Sequence, residues 1–274
     1  DVVIRFERRE RNQLYSIKVG NEELLQAPMR LNFWRALTDN DRGTRAGSRL
    51  GCWRDAGDTP GIFNNTKWSI EGYKILDDGK KVVVTSGATV CTQPESKASI
   101  VYTITSKGME INLHFSPDPS LPEIPEVSLL FELPKDFENV TYLGNGPEEN
   151  YIDRANAAKI GLYNTTVSDM WVDYLKPQEC GNRTGVRYAT LVGDKKVFSL
   201  VAEPVMEFNA CHWLPKEIEN VWHQKDLPEP NKTVVRCIAR QQGIGGYDSW
   251  GAHCNEKYKN KTDKTYRLKF QIRF

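Results

Sequence analysis

Apolar and polar residues alternate along most of this chain with the period of two that a β-strand imposes. Ser99-Ile100-Val101-Tyr102-Thr103-Ile104-Thr105 alternates and is rich in β-branched residues. Ser106-Lys107-Gly108 offers a turn, and Met109-Glu110-Ile111-Asn112-Leu113-His114-Phe115 alternates again, so the pair predicts a hairpin. Residues 81–85 predict a further strand, as do residues 127–133, which Pro134 closes. Residues 186–192 and 197–201 flank Gly193-Asp194 and predict a second hairpin; 234–239 and 266–272 complete the set. No apolar pattern at i, i+3, i+4, i+7 runs for the length of a helix. Short strands parted by Gly, Pro, Asn and Asp predict an all-β fold, a sandwich or barrel. With no low-complexity linker and no repeat of fixed period, one large domain over residues 1–274 is expected. The stretch 134–184 has the fewest strand signals. It holds Gly144, Gly146, Pro147, Pro177 and Gly181, and is expected to form long loops with a short helix near 165–172.

Composition narrows the function classes. Hydrophobic residues make up 39% of the 274 and charged residues 27%, the balance of a soluble globular protein long enough to bury a core. Lys and Arg number 37 against 36 Asp and Glu, a net charge of +1, which argues against nucleic acid or an anionic membrane as partner. No apolar run approaches the roughly 20 residues of a membrane helix. The start, Asp1-Val2-Val3-Ile4-Arg5, has no signal-peptide h-region and no initiator Met, as in a chain processed or cut from a longer one. The six cysteines form no C-x-x-C pair, so free thiols are expected rather than a zinc site or a dense disulfide framework. Six N-x-Thr sequons begin at Asn64, Asn139, Asn164, Asn182, Asn231 and Asn260; they matter only in a eukaryotic secretory pathway.

Several segments carry polar chemistry. The run from Arg5 to Arg11 mixes signs around Phe6 and is expected to be the solvated face of an edge strand. Asp39-Asn40-Asp41-Arg42-Gly43 starts like a calcium loop, but Leu50 stands at the twelfth position where an EF-hand needs Glu, so an Asx-rich turn is expected. Asn145-Gly146-Pro147-Glu148-Glu149-Asn150-Tyr151-Ile152-Asp153-Arg154 places three carboxylates beside a Gly-Pro turn. A glycosidase needs two carboxyls about 5–5.5 Å apart for retention, but adjacency in sequence does not deliver that spacing. A structural network through Glu148, Asn150 and Asp153, with Arg154 pairing one carboxylate, is favoured. Pro177-Gln178-Glu179-Cys180-Gly181-Asn182-Arg183-Thr184 either lines a sugar cleft or locks its turn through Glu179–Arg183 or Glu179–Arg187 contacts. Gly243-Ile244-Gly245-Gly246 lacks the spacing of a phosphate loop and is expected to bend the chain so that Tyr247-Asp248-Ser249-Trp250-Gly251 reaches a mouth. Trp250 is there a core plug or a platform on which the C–H face of a sugar stacks, with Asp248 and Ser249 in support. His114, His212, His223 and His253 have no partner at metal-ligand spacing, so no metal is expected in this chain.

Four of these segments, taken in order, resemble one family. Trp34-Arg35-Ala36-Leu37-Thr38-Asp39-Asn40-Asp41 is similar to the "WRaPTDND" opening of the small-chain, C-terminal (fifth) domain of glycoside hydrolase family 2 β-galactosidases. Residues 144–154 resemble its "GxGPxENYxDR" signature, residues 177–184 its "PQENGNRT" segment, and residues 243–251 its "GxGGDDSWG" loop. Leu37, Cys180 and Tyr247 depart from the pattern. The resemblance implies a large two-sheet supersandwich, galactose mutarotase-like. It also implies a role as the portion of a retaining β-galactosidase that completes the substrate mouth, with Trp250 stacking on a β-galactoside such as lactose. The catalytic glutamates, with magnesium and sodium, would lie in a TIM barrel absent from this chain, which would be inactive alone, and the intact enzyme would be a bacterial homo-oligomer. Whether that enzyme is cytoplasmic or periplasmic stays open. Two other readings of the same fold are a stand-alone aldose 1-epimerase and a non-catalytic carbohydrate-binding module.

Overall fold

A computed structural model describes residues 1–7, 13–57, 66–248 and 251–274. Fifteen strands dominate it, and its helices are single turns. β1 (Val2–Phe6), β2 (Leu14–Val19) and β3 (Glu22–Glu23) make a small antiparallel sheet. β1 lies at its edge with Arg5 exposed; residues 8–11 of the charge run lie outside the described residues. β4 (Ala27–Asn32) then leads into three short helices, α1 (Asp39–Gly43), α2 (Ala46–Arg49) and α3 (Gly51–Ala56).

The remaining strands are β5 (Lys67–Leu76), β6 (Lys81–Val90), β7 (Ser96–Thr105), β8 (Gly108–Ser116), β9 (Glu126–Pro134), β10 (Asn139–Gly146), β11 (Lys159–Thr166), β12 (Arg183–Val192), β13 (Val197–Cys211), β14 (Lys232–Gln241) and β15 (Tyr266–Arg273). They form one branched antiparallel sheet whose long path runs β11-β10-β12-β13-β15-β8-β7-β6-β5. Both predicted hairpins form. Thr105 pairs Gly108 across Ser106-Lys107, and Val192 pairs Val197.

The branch point is β13. Its first half, Ser199 to Ala202, pairs β15, and its second half, Glu207 to Cys211, pairs β14. Between the halves stand exposed residues including Pro204, which has no N–H to give to a ladder. β14 pairs β9, and β9 pairs β4, so a second layer of strands lies over the first. Val127, Leu129, Phe131 and Leu133 of β9 turn one face of that layer into the main core, where the Phe131 ring meets Phe198 at 5.6 Å and Phe270 at 6.2 Å.

The other face of the same layer is buried and polar. In register across it run Arg30, Leu130, Arg236 and Asn209, and beside them Asn32, Ser128, Ile238 and Glu207. Buried charge is tolerated only when paired and hydrogen-bonded, so this face needs partners from loops. The stretch 134–184 supplies some of them, but not as long loops throughout. It contains β10 and β11, in register from Asn139↔Thr166 to Gly146↔Lys159, and the expected short helix, α4 (Val167–Met170). The fifth helix, α5 (Pro215–Glu219), follows β13.

Candidate functional site

The segments singled out in the sequence meet over the polar face. The first is α1 and the chain before it. Thr38 caps the helix and Asp41 answers it, a reciprocal pair that satisfies two helix-start donors, so the expected Asx turn is one turn of helix. Asp41 also accepts from Arg35 Nε and Nη2 at 3.1 and 3.0 Å. Arg35 is buried, and its remaining donors reach the Gln242 carbonyl at 2.6 Å and the Gly243 carbonyl at 3.1 Å. Burial works to lower this guanidinium's pKa, but Asp41 and the more distant Glu179 outweigh it, so the group is raised and stays charged.

The second segment locks itself and its neighbours. Asn150 Nδ2 donates to the Asn145 and Glu148 carbonyls, holding the Gly-Pro turn, while its Oδ1 accepts from Thr184 N and Oγ1 at 2.9 and 2.6 Å. Glu148 itself is exposed. Glu149 accepts from Arg154, from Tyr174 OH at 2.6 Å and from Gly181 N at 2.7 Å. Asp153 reaches forward to the glycine-rich loop: its Oδ1 accepts from Ile244 N at 3.0 Å and its Oδ2 from Gly245 N at 2.9 Å.

The third segment departs from the pairing drawn from sequence. Glu179 contacts neither Arg183 nor Arg187. Both its oxygens accept from Arg236 Nη2 at 2.7 Å, and Arg236 Nη1 donates to Glu126 at 2.5 Å. Arg183 instead bonds Tyr142 OH at 2.9 Å and the Gly181 carbonyl, and the exposed Arg187 bonds the Gly185 carbonyl. The reason is position. Glu179 points down onto the polar sheet face, where Arg236 sits 57 residues away, while Arg187 stands on the outer side of β12. Glu126 is fully buried, and burial raises its carboxyl to about 7. Arg236 opposes that rise, as does Ser128, and Glu179 adds to it. Asn32, Ser128 and Gln241 also donate to Glu126.

The fourth segment is held at both ends. Its entry carries the Arg35 and Asp153 bonds, and Asn40 Nδ2 donates to the Ile244 carbonyl at 2.9 Å. Its exit passes Gly251 (φ +86), where an added Cβ would sit 2.7 Å from the Gly43 carbonyl oxygen, so α1 abuts the loop directly. Asp248 Oδ1 accepts from Ala252 N at 3.0 Å, closing the turn, and Tyr247 is exposed. Ser249 and Trp250 lie outside the described residues. Gln178 ties the third segment to the first, accepting from Asp39 N at 2.7 Å.

Arg35, Asn40, Glu126, Gln178, Glu207 and Arg236 complete this network and were not singled out as site residues from sequence. The available signal was a charged residue inside an otherwise apolar strand, as at Arg236 within Val234-Val235-Arg236-Cys237-Ile238. Elsewhere the candidates resolve simply. His212 bonds the Lys232 carbonyl and pairs with Glu138, and His253 meets Arg49. Among the described residues no group of three or more His, Cys, Asp or Glu is arranged to hold a metal. Cys52, Cys180, Cys211, Cys237 and Cys254 carry free thiols, and burial pushes the Cys180 thiol well up. The sequon residues Asn182 and Asn260 are fully buried with their Nδ2 atoms bonded, which bars a glycan from either in this fold.

Comparison with known proteins follows the same geometry. A family model described as "Beta galactosidase small chain" matches residues 1–272. A beta-galactosidase of Priestia megaterium is 33% identical over 265 residues, covering 96% of this chain and 25% of the relative. The beta-galactosidase small subunit of Latilactobacillus sakei is 26% identical over 285 residues, covering 94% of this chain and 89% of that subunit. The chain thus spans 25% of the length of the Priestia relative and 89% of the Latilactobacillus small subunit. A solved galactose mutarotase-like protein from Lactobacillus casei covers 100% of this chain and 99% of its own at a TM-score of 0.50 and 12% identity, a likeness of fold alone. The all-β, mutarotase-like architecture expected from the strand pattern and the motifs is the one observed.

Proposed function

The chain belongs to the beta-galactosidase small-chain family, and from that premise we propose that it completes the substrate mouth of a retaining β-galactosidase of glycoside hydrolase family 2 without supplying the catalytic carboxylates. The observation that carries this reading is the convergence of two other segments on the glycine-rich turn, whose entry is fixed by Arg35, Asn40 and Asp153, with the remaining segment tied to the first through Gln178. A loop whose entry is fixed in this way suits a substrate-stacking residue, which has to be positioned before the substrate arrives. Trp250 takes that role in the proposal, with Asp248 and Ser249 shaping the turn beside it.

The carboxylates of this chain support the non-catalytic part of the reading. Retention needs an acid and a nucleophile about 5–5.5 Å apart and open to a sugar. Glu126, Glu179 and Glu207 are buried beneath the loops, and Glu149 and Asp153 accept bonds from neighbouring loops. The two catalytic glutamates, with the magnesium and sodium of the intact enzyme, therefore belong in this proposal to a TIM-barrel portion in the same or a companion chain. Lactose and related β-galactosides are the substrates, and the assembled enzyme is a homo-oligomer.

The test is hydrolysis of a nitrophenyl β-galactoside by the chain alone and after mixing with the large portion of its parent enzyme. No turnover alone and turnover on mixing is the expected result. Turnover by the chain alone sinks the proposal and redirects attention to Glu148, Glu149, Asp153 and Glu179. Polarimetry on fresh α-D-galactose separates the aldose-epimerase alternative, because only an epimerase speeds the decay of rotation.

A further inference from the structure

Two large apolar side chains stand almost free of the fold on one side of the candidate site. Leu175 is 93% exposed and Trp222 is 69% exposed. They are not strays on mobile tails. Lys176 sets its ammonium 3.2 Å from the centre of the Trp222 ring, and Gln224 ties the two loops together by donating to the Tyr174 carbonyl at 2.7 Å and accepting from Trp171 Nε1. Lys176 also lies within electrostatic reach of Arg42 and Asp39 on α1 and of Glu219 on α5. The pair is therefore continuous with the loops of the candidate site through Arg42, which donates to the Pro177 carbonyl.

Beside the two knobs is a socket. A cavity of about 220 Å³ opens next to α5, with Trp34, Leu31, Leu130 and Leu214 among its walls and Arg54 and Glu219 at its rim. Trp34 Nε1 donates to Glu219 at 2.8 Å, and the Arg54 guanidinium lies 5.6 Å from the centre of the Trp34 ring. Pre-ordered Trp and Arg side chains next to a pocket have the composition and shape of an interaction hot spot rather than of a solvated surface.

We propose that the face formed by Leu175, Lys176 and Trp222 with the Trp34–Arg54–Glu219 socket is where this chain docks on the large, catalytic portion of its β-galactosidase. The inference rests on the proposed function. Its occupant follows from length: the Priestia relative is four times as long as the segment matched, so three quarters of such an enzyme lies outside this span and has to meet it somewhere, and the Latilactobacillus relative of nearly the same span is named a small subunit. A face next to the substrate loop is where such a contact brings the loop to the large portion's site. The partner surface is expected to offer an apolar side chain to the socket and a carboxylate to Arg54 and Lys176.

The test has two readouts. Hydroxyl-radical labelling of the chain alone and of the assembled enzyme should show Trp222 protected on assembly, while Leu162, 64% exposed on edge strand β11, stays labelled. The double variant Leu175→Asp with Trp222→Ser should bind the large portion at least about tenfold more weakly. Leu162→Asp should bind as the unaltered chain does. Both substitutions fall on exposed side chains, so unchanged circular dichroism and melting are expected. Equal labelling of Trp222 in both states, or unchanged affinity of the double variant, overturns the docking face. If the unaltered chain nevertheless restores activity on mixing, the proposed function survives that failure. Protection of Trp222 in the isolated chain through self-association would assign the face to a second copy and also overturn the inference.

Discussion

Asp153 is the residue whose removal tests the site most directly. Its two carboxylate oxygens take the Ile244 and Gly245 amide protons at 3.0 and 2.9 Å, a clamp between the second and fourth segments. Hydrogen bonds to a charged acceptor contribute about 1.5–3 kcal/mol each, and a half-exposed carboxylate belongs at the low end. Asp153→Asn keeps one acceptor and sets an amide N–H₂ against the other backbone donor. The loss is then about 2 kcal/mol, which raises the open population of the loop entry about 30-fold. Amide hydrogen exchange at Ile244 and Gly245 should accelerate by that factor. The amides of Val235 and Cys237 in the buried strand β14 report global unfolding and should accelerate by no more than the same factor, because the lost bonds are absent from the open loop and from the unfolded chain alike. In the assembled enzyme the same variant should raise the KM for galactosides several-fold. Unchanged exchange at Ile244 and Gly245 would refute the clamp, and a larger acceleration at Val235 and Cys237 than at Ile244 and Gly245 would show that Asp153 supports the fold rather than the loop.

Three further outcomes are expected. Arg236→Met leaves Glu126 and Glu179 buried without their shared cation and should cost about 3–5 kcal/mol; chemical denaturation measures it, and a loss under about 1 kcal/mol would refute the pairing. Because burial raises the Glu126 carboxyl from 4.5 to about 7, the folded chain holds that proton more tightly than the unfolded one, so stability from this group falls as pH rises between those values, by up to about 3 kcal/mol. Glu126→Gln should flatten that part of the stability–pH curve, and an unaltered slope would assign the titration elsewhere. If Trp250 stacks on substrate as proposed, a contact worth about 1 kcal/mol, Trp250→Ala in the assembled enzyme should raise KM several-fold with little change in kcat; an unchanged KM counts against stacking.

The strands were legible where alternation and turn residues agreed, as in the β7–β8 hairpin. They were illegible where packing depends on the smallest residue. β10 and β11 read as loop because of their glycines. Yet at Gly146 an added Cβ would lie 2.3 Å from Tyr142 OH and 2.8 Å from the Tyr163 ring, so glycine is there to admit the cross-strand Tyr142–Tyr163 pair, whose ring centres are 5.3 Å apart. Composition has no way to report that. The site divides in the same manner. Segment identity and order could be read in the chain, because each segment is contiguous. The partners could not, because Glu179 meets Arg236, and Asp153 meets Gly245, across separations that only the doubled sheet closes. The local guess of Glu179 with Arg183 was the cheapest pairing by sequence distance. It fails because the polar face of β9 and β14 already holds Arg236, whose Nη1 donates to Glu126 and whose Nη2 is left to donate to Glu179, so a sequence-distant guanidinium takes both buried carboxylates.

That arrangement also bears on what the domain can do. Arg35, Glu126, Asn150, Asp153, Glu179 and Arg236 are polar groups of the kind catalysis uses, and their bonds run to one another and to loop backbone. A carboxylate buried among its donors, as Glu126 is, has no open side for a substrate proton, and a guanidinium fixed between carboxylates does not swing toward a ligand. What such groups supply is position. They convert a glycine-rich turn, which alone would sample many conformations at the entropic cost of ordering several residues, into one pinned at Gln242–Gly245 on entry and at Gly251 on exit. In the proposed function, position is what a substrate mouth needs from a domain whose partner performs the acid–base chemistry, and residues more than 200 positions apart in the chain supply it by bonding one turn.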